Sequence, residues 1–164
     1  MKVVIQRVSQ ASVSVDGEQI ASIEKGILIL VGIKEQDSQY EIDYLVKKII
    51  SLRIFDDSEG VMNLSLNDTK GDVLVVSQFT LMARTKKGNR PSYIDAAKGD
   101  ISEPIYERFC ECLEKSYGKK VKRGCFGADM KVALINDGPV TVSYTHLTLP
   151  TILRSCRSRW SPYH

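Results

Sequence analysis

The feature that most constrains the fold is a run of five apolar residues, 27–31, enclosed between Gly26 and Gly32. The run is far shorter than the roughly 20 residues that a membrane-spanning helix needs, and its length suits a buried strand. Residues 72–79 form a second strand-like run that is nearly as apolar. A chain with two such strands must cover them with further layers of structure.

Other segments are predicted to be strands because apolar and polar residues alternate in them or because turn residues bound them. Asp16-Gly17 is typical of a hairpin turn, and Asn136 to Pro139 is typical of a turn that ends a strand. The predicted strands are 2–8, 11–15, 19–23, 27–33, 54–55, 72–79 and 130–134, with extended chain resuming at 140–142.

Two longer segments have helical periodicity. The first is predicted to run from a cap at Asp37 or Ser38 to about Arg53. The second is predicted over Ser102–Tyr117, with Ser102 as its cap and Pro104 in its first turn. Together with the strands, this pattern predicts an α+β fold, a layered β-β-α domain that is strand-rich and has two main helices.

The bulk composition is typical of a soluble globular protein, since 43% of the 164 residues are hydrophobic and 26% are charged. The sequence enters a strand directly after Met1 with no signal peptide, so a cytoplasmic location is expected. The four cysteines contain no Cys-x-x-Cys pair, and we expect reduced thiols rather than disulfides or metal ligands. They are Cys110, Cys112, Cys125 and Cys156.

The last 22 residues, 143–164, differ abruptly from the rest of the chain. They contain three arginines, no acidic residue, the only tryptophan and both histidines, so the formal charge of +3 resides wholly in them. We expect a non-native tail, adaptor-like or out of frame, following a domain of residues 1–142. The alternative is a basic RNA-binding arm, but the dense Lys/Arg clustering of such arms is missing.

Residues 1–142 contain no histidine. This excludes a Ser-His-Asp or Cys-His mechanism within the domain, and also a histidine-ligated zinc site. An enzyme built on this domain must work without imidazole, and we expect neither a metal nor a cofactor.

Two polar motifs stand out. Ser77-Gln78-Phe79-Thr80-Leu81 closes the second apolar strand, and strand periodicity places Gln78 and Thr80 on one face with Ser77 and Phe79 on the other. Backbone amides at such a strand end could hold a developing oxyanion, although a strand that simply reaches solvent has the same pattern. Residues 136–141, Asn-Asp-Gly-Pro-Val-Thr, form the second motif, which by itself indicates only a turn.

Taken together, Ser77–Leu81 and Gly138–Thr141 resemble the signature pair of the D-aminoacyl-tRNA deacylase family. The segments 1–8, 26–32 and 87–92 are similar to that family as well, so the resemblance covers residues 1 to about 142. It implies an editing enzyme of translation quality control. Such an enzyme is a carboxylic ester hydrolase that removes D-amino acids, and mischarged glycine, from tRNA.

The resemblance also implies a homodimer with active sites at the subunit interface. The Gly138–Pro139 peptide bond would be cis and would enter the partner's pocket, where its carbonyl oxygens exclude L-amino acids by crowding their side chains. Ser77, Gln78, Phe79 and Thr80 are the candidate catalytic residues. We hypothesise that the backbone amides around Phe79 and Thr80 hold the ester carbonyl and that Gln78 orients it. Thr80 is expected to bind by hydrogen bonding rather than to attack, since no base accompanies it.

Two loops are predicted to meet tRNA phosphates, although ordinary solvated loops have the same composition. The first carries Arg84, Lys86, Lys87 and Arg90, and its closeness to Ser77–Leu81 favours function. Residues 119–123 form the second, for which the two interpretations are about equal. Arg7 is predicted to take part in tRNA binding or to orient the site, and a charge at a sheet edge is its alternative.

Three other functions remain open. A non-catalytic tRNA-binding module would use the same basic loops without changing the lifetime of the ester. A small-ester hydrolase would use Thr80 on substrates that contain no nucleotide. A purely structural dimerisation protein leaves both motifs unexplained and is the least favoured.

Overall fold

Strands are the commonest secondary structure in this protein, whose computed structural model describes residues 1–145. The elements in chain order are β1 (Lys2–Val15), β2 (Glu18–Ile23), β3 (Gly26–Gly32), α1 (Gln39–Ser51), β4 (Arg53–Asp56), β5 (Met62–Ser65), α2 (Leu66–Thr69), β6 (Asp72–Ser77), a 3-10 helix (Phe79–Met82), α3 (Gly99–Tyr117), β7 (Lys122–Arg123) and β8 (Met130–Thr145). No helix among these residues is long and apolar enough to cross a membrane.

The main sheet is organised around β1. One edge of β1 pairs antiparallel with β8 from Lys2 to Val15. The other edge pairs with β3 along its first half and with β2 along its second half. Beyond β3, the strands β6 and β7 continue the sheet in parallel pairing, while β4 and β5 form a separate antiparallel hairpin.

The apolar side chains divide into two clusters on opposite faces of β3 and β6. Alternate residues such as Ile27 and Val75 pack with the helices, where Leu45 of α1 and Phe109 of α3 are fully buried. The intervening residues, Leu28 among them, pack against the second half of β1, against β2 and against β8. A helical layer and two strand layers result, so the predicted layered α+β fold is confirmed.

The helix predictions were close but not complete. Helix α1 begins after Ser38 with a capping box in which the side chain of Glu41 accepts from the Ser38 amide, as such caps do. Helix α3 begins at Gly99, three residues earlier than predicted, because Ser102 does not cap it: its hydroxyl donates to the Lys98 carbonyl from inside the helix. Pro104 therefore lies beyond the first turn, and α2 was not predicted.

Strands β5 and β7 were not predicted, and the largest differences in the predicted strands are the following three. Residues 2–8 and 11–15 form one strand, β1, whose pairing with β8 shifts register on either side of Val8. Residues 136–139 were predicted as a turn, yet they lie inside the continuous strand β8. Strand β6 ends at Ser77, two residues before the predicted end.

The predicted tail falls almost entirely on residues 146–164, which lie outside the described residues. Its first three residues, Ser143–Thr145, belong to β8 and pair with the start of β1, from Lys2 to Val4. Of the cysteines, Cys110 is buried, Cys112 is half-buried and Cys125 is exposed, all as free thiols. Cys156 lies in the segment that is not described.

Candidate active site

The Ser77–Leu81 motif lies where β6 gives way to the 3-10 helix. The Gln78 amide donates to the Val31 carbonyl at 2.7 Å, which extends the pairing with β3 by one residue, and the Leu81 amide then donates to the Gln78 carbonyl at 3.2 Å. Gly32 makes this turn possible, because an added Cβ would lie 3.0 Å from the Cβ of Leu81 and 3.1 Å from the Gln78 carbonyl oxygen. The motif is therefore a tight turn packed against β3.

A hydrogen bond joins the side chains of Gln78 and Thr80: the side-chain amide nitrogen of Gln78, Nε2, donates to the Thr80 hydroxyl oxygen. The two side chains meet because residues 79–82 form a 3-10 turn. Strand periodicity, from which Thr80 was predicted to lie beside Gln78, does not apply here because β6 ends at Ser77. No other side chain in residues 1–145 is seen to hydrogen-bond to this hydroxyl. An amide donor cannot take its proton, so Thr80 lacks a base.

A cavity of about 420 Å³ opens beside the motif. Its lining includes Ser77, Gln78 and Phe79 of the motif, Gly99 and Ser102 from the start of α3, and the segment 126–130. Thr80 is not part of the lining. Within the described part of the chain, no group of three or more His, Cys, Asp or Glu side chains could hold a metal ion.

Two backbone amides at the start of the 3-10 helix, one of them that of the cavity-lining Phe79, have no main-chain partner in residues 1–145. Phe79 and Thr80 open the 3-10 helix, and neither amide donates to a backbone oxygen anywhere in residues 1–145. The Gln78 side chain does not cap them either. Adjacent amides of this kind can stabilise negative charge that develops on a carbonyl oxygen.

The Gly138–Pro139 motif lies in β8, and its peptide bond is cis. Gly138 has φ +126°, and an added Cβ would lie 2.9 Å from Val140 Cγ2 and 3.0 Å from Arg7 Nη2. Neither Gly138 nor Pro139 lines the cavity of its own chain. One chain therefore does not bring the two motifs to the same cavity wall.

Arg7 is buried, with 6% of its surface exposed. Its Nε donates to the Asp137 carbonyl at 2.9 Å, and its Nη1 donates to the Ile54 carbonyl at 2.7 Å and to the Asp56 carboxylate at 3.2 Å. A side chain with so little exposure has no room for a tRNA phosphate. These contacts suit the other predicted role, that of a cation which orients the site.

The first basic loop contains one paired and three unpaired cations. Arg84 forms a two-point ion pair with Asp95, which raises the pKa of Arg84 and holds the pKa of Asp95 below its usual value. Lys86, Lys87 and Arg90 are exposed and form no ion pair within residues 1–145. Only these three present their charge freely.

The second basic segment is partly neutralised. Lys119 pairs with Asp72 at 2.6 Å and Arg123 pairs with Glu107 at 2.6 Å, while Lys120 and Lys122 have no ion pair in the described chain. Lys122 and Arg123 also form the short strand β7. Two of the four cations of this segment therefore pair with carboxylates of the same chain.

Sequence reasoning missed the cavity wall formed by residues 126–130 and the start of α3. Phe126 packs against Tyr106 with ring centroids 5.6 Å apart, and the Tyr106 hydroxyl donates to the Val75 carbonyl at 2.9 Å. The Gly124 amide donates to the same carbonyl at 2.8 Å. These residues come from separate parts of the chain and form no local motif that could have identified them.

Comparison with known proteins agrees with the motif pair. A family model described as D-Tyr-tRNA(Tyr) deacylase matches residues 4–145. The D-aminoacyl-tRNA deacylases of Flavobacterium johnsoniae and Bacteroides thetaiotaomicron are each 62% identical over 142 residues, which is 87% of this chain and 95% of each relative.

Two solved structures are similar as well. One is named c-Myc DNA Unwinding Element Binding Protein, with TM-score 0.86 and 44% identity over 90% of this chain and 99% of that one. A probable eukaryotic D-amino acid tRNA deacylase, at 18% identity and TM-score 0.75, covers 87% of this chain and 97% of its own and shows the shared fold alone. The matched family model and the relatives confirm the resemblance seen in the sequence, and the chain belongs to the D-Tyr-tRNA(Tyr) deacylase family.

Proposed function

We propose that this protein is an editing hydrolase that cleaves the ester of D-aminoacyl-tRNA and of mischarged glycyl-tRNA, releasing free tRNA and the amino acid. Relatives named D-aminoacyl-tRNA deacylase at 62% identity support the reaction class. The structural observation that carries the proposal is a pair of adjacent amides, those of Phe79 and Thr80, that have no hydrogen-bond partner within residues 1–145 and adjoin a cavity of about 420 Å³ that Phe79 lines.

The proposed chemistry relies on the main chain. The amides of Phe79 and Thr80 hold the ester carbonyl oxygen as water attacks the carbonyl carbon, and the tRNA ribose oxygen leaves. Gln78 keeps the Thr80 hydroxyl in place, and the 2′-hydroxyl of the terminal adenosine helps to activate the water. An aminoacyl ester is intrinsically reactive, so positioning and charge stabilisation supply the catalysis.

Selection against L-amino acids is assigned to Gly138 and Pro139 of a second copy of the chain. Their absence from the lining of their own cavity supports this assignment, because a filter acting in that cavity must then come from a partner. The carbonyl oxygens of the pair would face the substrate Cα and crowd any L side chain. The protein would therefore be a homodimer, and side chains of many D-amino acids would be accepted.

The direct test compares hydrolysis of D-tyrosyl-, L-tyrosyl- and glycyl-tRNA. We expect kcat/KM for the D-ester and the glycyl ester to exceed that for the L-ester by at least about 100-fold, the discrimination of some 2.7 kcal/mol that a steric clash can supply. Equal cleavage of D- and L-tyrosyl-tRNA would refute the filter, and no cleavage of either would refute the reaction.

The role of Thr80 is tested by Thr80→Ala. We expect less than about a tenfold loss of kcat, because the two amides remain, whereas losing one oxyanion donor costs about 100- to 1000-fold. The matched control is Thr85→Ala, which removes an exposed hydroxyl from the basic loop. A loss of the entire rate enhancement in Thr80→Ala alone would contradict a mechanism based on the main chain.

A nucleic-acid-binding module without catalysis is the second candidate function. The three unpaired cations of the first loop favour it, and a 44% identical protein is named for binding DNA. Such a module would bind charged tRNA and leave its ester intact. An ester hydrolase dependent on Thr80 would instead cleave small esters without any nucleotide, and the missing base beside Thr80 speaks against it.

We also propose that the domain ends with β8 and that residues 146–164 are dispensable for activity. The family match ends at residue 145, and the pairing of β1 with β8 extends to Thr145. A chain that stops after Thr145 should therefore keep the full kcat/KM on D-tyrosyl-tRNA. A loss of activity on truncation would assign a role to the tail. The cytoplasmic location stays a prediction.

A further inference from the structure

Two partly exposed aromatic rings are in contact with each other, and one of them lines the cavity. Phe79 lines the cavity and is 58% exposed, and Tyr93 beside it is 38% exposed. Their ring centroids are 5.2 Å apart with the planes at 73°, an edge-to-face contact that aromatic pairs prefer. The proposed chemistry uses only the main chain of Phe79, so it leaves both rings without a role.

Hydrogen bonds hold Tyr93 in this position. Arg84 and Ser92 exchange backbone bonds of 2.8 and 3.0 Å, which close the loop between the two rings. The Ala96 amide donates to the Tyr93 carbonyl at 3.0 Å, and the ion pair of Arg84 fixes the same segment at Asp95. These bonds hold the backbone that carries Tyr93, and the contact with Phe79 orients its ring.

The loop that joins the two rings also carries the three unpaired cations, Lys86, Lys87 and Arg90. Positive charge beside exposed aromatic rings is the combination that binds single-stranded nucleic acid, because bases stack on the rings while phosphates meet the cations. Stacking uses the π-face that every base has, so it requires no particular base at the contact.

The partner whose Gly138 and Pro139 are proposed to act in the cavity is a poorer occupant of the exposed surface of the two rings. Two copies that met through the same surface would be related by a two-fold axis, which would bring their basic loops together. Like charges placed face to face oppose such an association. A polyanion gains from the same charges, so their sign favours RNA over another copy of the protein.

We propose that the Phe79–Tyr93 pair is the stacking surface for a nucleobase in the single-stranded 3′ end of tRNA. The phosphates that follow would lie along Lys86, Lys87 and Arg90. Tyr93 is then a substrate-binding residue outside the reacting centre. The identity of the RNA rests on the proposed function, whereas the stacking itself does not depend on catalysis.

The test uses the full-length protein and an uncharged tRNA that carries the fluorescent base 2-aminopurine, placed at each position of its single-stranded 3′ end in turn. Stacking quenches this probe. We expect the wild-type protein to quench at one position, and Tyr93→Ala to lose that quenching and at least about fivefold of the affinity. Tyr93→Phe keeps a ring and should behave as wild type.

Two controls separate stacking from general effects. A tRNA that lacks its single-stranded 3′ end should bind Tyr93→Ala and the wild type equally. Tyr40→Ala removes a 66% exposed ring from α1, which contributes nothing to the cavity lining, and should leave quenching and affinity unchanged. Thermal unfolding of each variant reports whether the fold is retained.

Unchanged quenching and affinity in Tyr93→Ala would overturn the proposal. Conversion of a dimer to monomers by the same substitution, with RNA affinity per subunit unchanged, would also overturn it and assign the surface to a second copy. A wild-type protein that quenches the probe but does not deacylate D-aminoacyl-tRNA would support the stacking surface and refute the proposed function.

Discussion

The Nε of Arg7 donates to the carbonyl oxygen of Asp137 at 2.9 Å, which ties the first strand to the residue that precedes Gly138. The same guanidinium holds the Ile54 carbonyl at 2.7 Å, so one buried cation joins β1, β4 and β8. Arginine suits this place because its rigid fork can donate in several directions at once. The position of Gly138 is therefore set by a residue at the other end of the chain.

We predict that Arg7→Lys lowers both stability and stereoselectivity. Lysine keeps the charge but has one nitrogen in place of the two, Nε and Nη1, that reach the Asp137 and Ile54 carbonyls, and a buried acceptor left without a partner costs about 1–3 kcal/mol. Urea unfolding should show a loss in that range, and the D- to L-tyrosyl-tRNA ratio of kcat/KM should fall.

The matched control is Arg53→Lys, since Arg53 also donates to a main-chain oxygen, that of Asn63 at 2.8 Å, but does so on the surface. Its stability and selectivity should stay near wild type. If Arg7→Lys keeps the wild-type ratio while losing stability, Arg7 supports the fold and not the filter.

The second prediction concerns Gly138→Ala. The added methyl would lie 2.9 Å from Val140 Cγ2 and 3.0 Å from Arg7 Nη2, at a φ of +126° that L residues rarely adopt. We expect a loss of stability of roughly 1–3 kcal/mol and a larger relative loss of kcat/KM on D-tyrosyl-tRNA than of binding to uncharged tRNA. Urea unfolding and steady-state kinetics measure the two effects.

Gly17→Ala serves as its control. Gly17 has φ +83° in the β1–β2 turn, but no atom lies within 4 Å of its added Cβ. Gly17→Ala should therefore lose only the stability that an alanine costs at this positive φ, and it should keep full activity. Equal kinetic losses in the two variants would mean that the cost is global and that Gly138 has no special part in the site.

The third prediction separates the two basic segments. Lys86→Gln and Lys87→Gln should each weaken tRNA binding and lower the slope of log Kd against log salt by about 0.7–0.9, the value expected for one lost phosphate contact. Lys120→Gln removes an exposed lysine without an ion pair in the described chain from the second segment and should leave that slope unchanged. The reverse result would place the tRNA on the second segment.

The sequence predicted the layers of the fold well because they depend on local patterns. The apolar runs of β3 and β6, and the capping signal at Ser38, are decided within a few residues. Local patterns are not sufficient at Ser102. A serine hydroxyl can cap the start of a helix or donate to a carbonyl one turn earlier, and in α3 it donates to the Lys98 carbonyl.

The site was less predictable because distant contacts determine it. Residues 136–139 have the composition of a turn, but β1 pairs on both sides of them and keeps them in one strand. Arg84 looks like any other cation of its loop until Asp95 is found beside it. Nothing in the local sequence singles out Tyr93, and its contact with Phe79 is visible only in the folded structure.

The fourth prediction concerns Cys110 in α3, whose thiol is buried beside Tyr106. Burial raises the pKa of this thiol from 9.0 to about 12, although the nearby charge of Arg123 opposes the shift. The folded protein therefore retains the proton at pH values where the unfolded chain releases it. This contribution to stability is fully present below about pH 9 and is lost as the pH rises towards 12, by up to about 1.4 kcal/mol per pH unit.

Urea unfolding at pH 8, 9 and 10 should accordingly show a steeper loss of stability in the wild type than in Cys110→Ala. Removing the thiol lowers stability at every pH by creating a small cavity, so the difference in slope, and not the offset, is the diagnostic quantity. Cys125→Ser removes an exposed thiol and should keep the wild-type slope. Parallel curves for wild type and Cys110→Ala would mean that the Cys110 thiol titrates alike in the folded and unfolded chains.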